Sequence, residues 1–175
     1  MNKLSKQKGF TLLEVLVAVL VFSFGLLGIG GMMTISVKNN HNGYLRSQAN
    51  FLAENMMDRM RANPLALWNG TYNGLATPGG GLACTLGSEC NIDELALYDM
   101  QAWADSILIS LPNGAGTINC IPGSPVPGGL ISADAPSIWT PSPPYDGICT
   151  ITVTWDESNE TSATDLQTMT LAGQP

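Results

Sequence analysis

Charge is scarce in this chain, and positive charge is scarcest. Charged residues fill 12% of the 175 positions, against about 25% in an ordinary soluble domain. Seven are basic and fourteen acidic. Three of the basic ones, Lys3, Lys6 and Lys8, fall within the first nine positions, where there is no acid. The remaining 166 residues carry four basic and fourteen acidic side chains, a balance of −10. A body so acidic cannot neutralise phosphates, so nucleic acid is not an expected partner. Histidine occurs once, at His41, in a polar stretch without a cysteine or acidic cluster beside it. A lone histidine builds neither a metal site nor a catalytic triad. Nucleophile motifs, P-loops and dinucleotide fingerprints are also absent, so we expect no enzyme and no cofactor. Asp93-Glu94 and Asp156-Glu157 are adjacent carboxylates, but neighbouring side chains diverge on a helix or strand. They read as solvated caps or turns.

Cysteine pairs of the Cys-x-x-Cys kind are missing. The four cysteines are Cys84, Cys90, Cys120 and Cys149. Their even count and wide spacing favour disulfides in an oxidising compartment over a zinc site, so no metal is expected. Three pairings are open to four cysteines. We take Cys84 with Cys90, closing a short loop, and Cys120 with Cys149, tying two neighbouring strands. Each bond should contribute about 2–4 kcal/mol.

The apolar excess is local. Residues 10–33, FTLLEVLVAVLVFSFGLLGIGGMM, hold one charge, Glu14, and no proline. As a helix this run would be about 36 Å long, enough to cross a hydrocarbon core of about 30 Å. The lysines precede it and no comparable cluster follows, so residues 1–9 stay in the cytoplasm and the rest crosses. An ordinary secretory signal has a shorter apolar run of about 7–15 residues and no carboxylate near its start. An acid in a membrane span is rare and usually functional. Cutting between Gly9 and Phe10 would create an amine on Phe10, with Glu14 the fifth residue of the new chain, one turn away. A carboxylate in a first helical turn is also favoured by the macrodipole and the unpaired amides there.

Lys8-Gly9-Phe10-Thr11-Leu12-Leu13-Glu14, followed by Val15-Leu16-Val17-Ala18, resembles the class III signal of type IV pilins and type II secretion pseudopilins. The resemblance implies that a prepilin peptidase cuts between Gly9 and Phe10 and methylates the Phe10 amine. It implies that Glu14 pairs with the N-terminal amine of a neighbouring subunit during assembly. It further implies that the apolar helix sits first among membrane lipids and later in a filament core. Many major pilins carry a proline midway along this segment. Here Gly25, Gly28, Gly30 and Gly31 occur instead, either softening the helix or allowing close helix packing.

Beyond the run, Leu45, Ala49, Leu52, Met56 and Met60 recur at helical spacing, and Glu54, Asp58, Arg59 and Arg61 supply a polar face. Core packing is the reading of Met56, Met57 and Met60. Lys38 to Gly43 is poor in helix formers and marks a weak point. Asn63-Pro64 ends the run. We expect one bent helix of about 50 residues, near 75 Å. Residues 64–90 read as an irregular connection. Asn91 and Glu94 form a capping box for a second helix to about Ser110, with Leu95, Trp103, Ile107 and Leu111 on one face. Gly116–Cys120 reads as a short strand. Residues 121–146 hold seven of the eleven prolines and read as a surface loop. Residues 148–155 alternate cleanly, with Ile151, Val153 and Trp155 facing a core. A turn over 156–165 and a strand over Leu166–Leu171 follow.

The expected fold is α+β and pilin-like. A long N-terminal helix, half membrane-spanning and half amphipathic, packs on a small antiparallel sheet with a second helix and two disulfides. Its divisions are a leader (1–9), a transmembrane assembly helix (10–33), an amphipathic helix (34–63) and a periplasmic head (64–175).

Met56-Met57-Asp58-Arg59-Met60-Arg61-Ala62-Asn63-Pro64 resembles the helix end of PilV-type minor pilins, also called type IV pilus modification proteins. Tyr98 to Trp103, Leu111-Pro112-Asn113-Gly114 and Val153-Thr154-Trp155 are similar to later signatures of that group. The resemblance implies a low-abundance subunit of the inner membrane, head in the periplasm, that helps initiate pilus assembly and then resides near the tip at the cell surface. Its implied partners are the prepilin peptidase, other minor pilins, the major pilin and the inner-membrane assembly platform. A type II secretion pseudopilin shares the leader and is the second reading. A tip adhesin is the third; loop 121–146, with Trp139 and Tyr145, is where its binding surface is sought, although surface aromatics near prolines are more often local packing.

Overall fold

The computed structural model describes residues 9–80, 84, 89–124, 144–157 and 166–175. The leader lysines, most of the proline-rich loop with Trp139, and most of the 156–165 turn lie outside these. The chain divides into two compact units, residues 1–43 and 44–175.

Within the first unit, helix α1 (Leu12–Ala62) begins at Leu12 and runs without a break through Gly25, Gly28, Gly30 and Gly31. The polar stretch Lys38 to Gly43 is helical as well, although it is poor in helix formers. In the first unit the large apolar side chains from Phe10 to Val37 are all exposed, Phe10 by 83% and Val37 by 68%. Water-exposed apolar patches rarely exceed a few hundred Å², so this surface requires lipid or other helices around it. The helix is long and apolar enough to cross a membrane.

The second unit contains the whole hydrophobic core. From Tyr44 on, α1 buries Leu45, Ala49, Leu52, Ala53, Met56, Met57 and Met60, the stripe that helical periodicity demands. Asn63 separates α1 from α2 (Pro64–Asn69). Pro64 therefore ends one helix and starts another, because a proline at the first helical position forfeits only an amide with no partner in the helix. Gly70 closes α2 in the left-handed conformation (φ 74°), which suits glycine. The expectation of an irregular connection over 64–90 is corrected here: it holds α2 and the three-residue strand β1 (Gly74–Ala76).

Helix α3 (Ile92–Ser110) starts at Asn91 with both halves of the capping box formed. Its buried face is Ala96, Asp99, Met100, Trp103, Ala104 and Ile107. Leu95 is exposed and Ala96 buried, so the expected face is rotated by one position at its start. The sheet is a meander in the order β1-β2-β3-β4, antiparallel throughout, completed by β2 (Ala115–Ile121), β3 (Ile148–Asp156) and β4 (Leu166–Gly173). Ile151, Val153 and Trp155 face the core and are at most 1% exposed.

Cys120 and Cys149 are directly opposed on β2 and β3 and are disulfide-bonded. Cys84 is bonded to Cys90. Asp156 is buried rather than solvated, its amide held by the Pro112 carbonyl at 2.9 Å. Tyr145 is also buried, at 2% exposure, with its ring edge against Trp68 at 5.1 Å. Its ring therefore serves local packing, the commoner role of an aromatic near prolines, and not a binding surface.

Candidate processing and assembly site

The sequence places the Gly9–Phe10 junction and an acid within six residues of each other, and local structure gives each its setting. Gly9, Phe10 and Thr11 precede the helix and are exposed. The Thr11 carbonyl accepts from the Glu14 amide at 3.1 Å and from the Val15 amide at 3.3 Å. The Thr11 hydroxyl oxygen also accepts from the Glu14 amide, at 3.3 Å. Thr11 thus caps α1, a role that sequence reasoning passed over although Thr-x-x-Glu is the signature of a helix start. The cap stops the helix one residue after Phe10. It leaves the Gly9–Phe10 peptide in exposed, non-helical chain.

Glu14 lies in the first turn, where unpaired amides and the macrodipole favour a carboxylate. Phe10, Glu14, Val15, Ala18, Val19 and Phe22 line one shallow groove. Ala18 is the small member, so the carboxylate has an apolar recess beside it. Among the described residues, Glu14 takes part in no ion pair.

The other polar centre is in the second unit and is structural. Asp99 of α3 accepts from the Arg59 guanidinium at 3.0 Å and from the Tyr72 hydroxyl at 3.1 Å. Arg59 also donates to Asn55 at 3.0 Å. Burial, and then the Asp99 carboxylate beside it, push the Tyr72 phenol well above its ordinary value of 10.0. The Trp103 indole donates to the Leu52 carbonyl at 2.9 Å, so α3 is bonded to α1 at two places. Among the described residues, no group of three or more metal-ligating side chains comes together.

Residues 4–30 match the family model for the prokaryotic N-terminal methylation motif. The match covers the leader and the start of α1, not the second unit. No curated protein and no solved structure matches the chain. The matched motif is that of a class III prepilin leader, and the described fold, a long N-terminal helix with a small antiparallel sheet and two disulfides, is pilin-like. The leader implies processing by prepilin peptidase and handling by pilus assembly machinery, and the apolar helix fits membrane anchoring.

Proposed function

We propose that the chain is a minor pilin of a type IV pilus that helps initiate filament assembly and acts as a structural subunit, not an enzyme. It enters the inner membrane with its second unit in the periplasm and loses residues 1–9. It then carries an N-methylated Phe10 into a complex with other minor pilins, the major pilin and the assembly platform. The observation that carries this reading is the pairing of an exposed Gly9–Phe10 junction with a first-turn Glu14, the one charge in the apolar run of residues 10–33. Such a carboxylate needs a cation in lipid, and the amine of a neighbouring subunit supplies one. The minor-pilin assignment rests on the resemblance of residues 56–64, 98–103, 111–114 and 153–155 to that group.

The test is the intact mass and N-terminal sequence of the protein from its native membrane, with a Glu14→Ala variant beside it. The expected chain begins at N-methylated Phe10 in both. The wild type is recovered in sheared pili in trace amount, and the variant stays in the membrane. A start beyond residue 30 would mean ordinary signal cleavage. Full processing without any recovery in pili, but loss of protein secretion on deletion, would make it a secretion pseudopilin.

A further inference from the structure

Strand β4 ends the sheet order and pairs with β3 alone among the described elements. Its eight residues, LQTMTLAG, contain no charge and no proline, and their register with β3 is continuous, without a bulge. Proteins usually blunt an edge with lysine, proline, a bulge or brevity, because the unpaired amides and carbonyls otherwise template another strand. The opposite edge, β1, is blunted by brevity at three residues. The core is also left open at β4. Ile151 and Val153 on β3 are fully buried, whereas Met169 and Leu171 on β4 are only partly covered.

Beside that edge runs a groove of about 430 Å³, lined by Glu54, Met57, Asp58 and Arg61 of α1 and by Leu171 to Gly173 of β4. Arg61 is occupied by Asp58 at 2.8 Å. Glu54 accepts from the neutral amide of Asn50 at 3.0 Å. The groove therefore offers an apolar strip with one uncompensated negative charge on its rim.

We propose that β4 receives an extended, basic segment of a different protein subunit as a fifth strand. Main-chain hydrogen bonds along β4 supply affinity, and alternate side chains entering the groove supply specificity. An apolar residue covers Met57 and Leu171, and a lysine or arginine meets Glu54. A second copy of this chain does not fit. Residues 62–175 hold eleven acidic side chains and no lysine or arginine, so none of a copy's strands or loops in that range can offer the cation. The inference goes beyond the minor-pilin reading and holds equally for a pseudopilin.

The experiment is amide hydrogen exchange on the full chain in detergent micelles, with two synthetic eight-residue peptides of alternating valine and threonine. One carries lysine and the other glutamate at a groove-facing position. The lysine peptide should slow the β4 amides not bonded to β3 about tenfold, at ten times its dissociation constant. The glutamate peptide should leave them unchanged, as should both peptides the β1 amides. Glu54→Lys, an exposed change on the polar face of α1, should reverse the preference. Failure of the lysine peptide to protect β4, or equal protection by both peptides, would overturn the proposal. So would protection that rises with protein concentration alone, which would put a second copy on the edge.

Discussion

Asp99 shows what a single polar residue can hold together in a small core. It joins Arg59 from α1 and Tyr72 from the segment after α2, so its loss strands a buried hydroxyl and a half-buried guanidinium. Hydrogen bonds to a charged group contribute about 1.5–3 kcal/mol each. Asp99→Ala should therefore lower unfolding stability by about 3 kcal/mol, and the Asp99→Ala/Tyr72→Phe double variant by clearly less than the sum of the singles. Denaturant melts arranged as a double-mutant cycle will read this. The same site has a pH signature. Tyr72 stays protonated in the folded chain well above 10.0, while the unfolded phenol ionises near that value. Its contribution is whole below pH 10 and drains away as pH rises past it. Wild-type stability should fall above pH 10, and Tyr72→Phe should flatten that part of the fall. Close approach matters at Gly116, where an added Cβ would lie 2.4 Å from the Trp103 ring. Periodicity in the sequence could not reveal either residue. An aspartate counts as polar face until its partners from 40 and 27 positions away are known, and a glycine in a strand carries no pattern.

Elements with a long period were legible, and short ones were not. The apolar stripes of α1 and α3, each several turns long, and the alternation of β3 repeat enough to identify themselves. Six-residue α2 and three-residue β1 complete barely one period. Pro64 was legible as the end of α1 but not as the start of α2, since the same ring serves both. The cap of α3 was readable because its chemistry is local: the Asn91 side chain accepts from the Asp93 and Glu94 amides at 3.1 and 2.9 Å. Asn91→Ala should cost about 1 kcal/mol. The disulfides offer a sharper comparison. Cys120–Cys149 spans 29 positions and Cys84–Cys90 only six. Chain-entropy scaling gives about 3.6 and about 2.4 kcal/mol respectively. The first also staples β2 to β3 near one end of their ladder, with both cysteines buried. Removing it as a Cys120→Ala/Cys149→Ala pair should lower the thermal midpoint more than Cys84→Ala/Cys90→Ala does, as followed by near-ultraviolet circular dichroism of the buried tryptophans.

At the scale of the molecule, the two units answer to different solvents. Every residue of the hydrophobic core lies at or beyond Leu45, and none lies in the apolar run. Among the described residues, the first unit therefore supplies none of the buried core side chains. Its own apolar surface is exposed over its full length and is satisfied only by lipid or by helices of other subunits. The leader and the apolar run were legible as a pair because charge asymmetry and length are properties of composition. The place where α1 passes from one unit to the next was not, because the helix itself does not break there: Gly43 and Tyr44 are consecutive helical residues. A chain beginning at Tyr44 should therefore be soluble without detergent, retain both disulfides, and unfold cooperatively with a midpoint within a few degrees of the full chain's. The full chain should resist alkaline extraction from membranes. A Tyr44 chain that aggregates or melts without cooperativity would show that residues 10–43 stabilise the core as well as anchor it, and the division of labour between the units would fail.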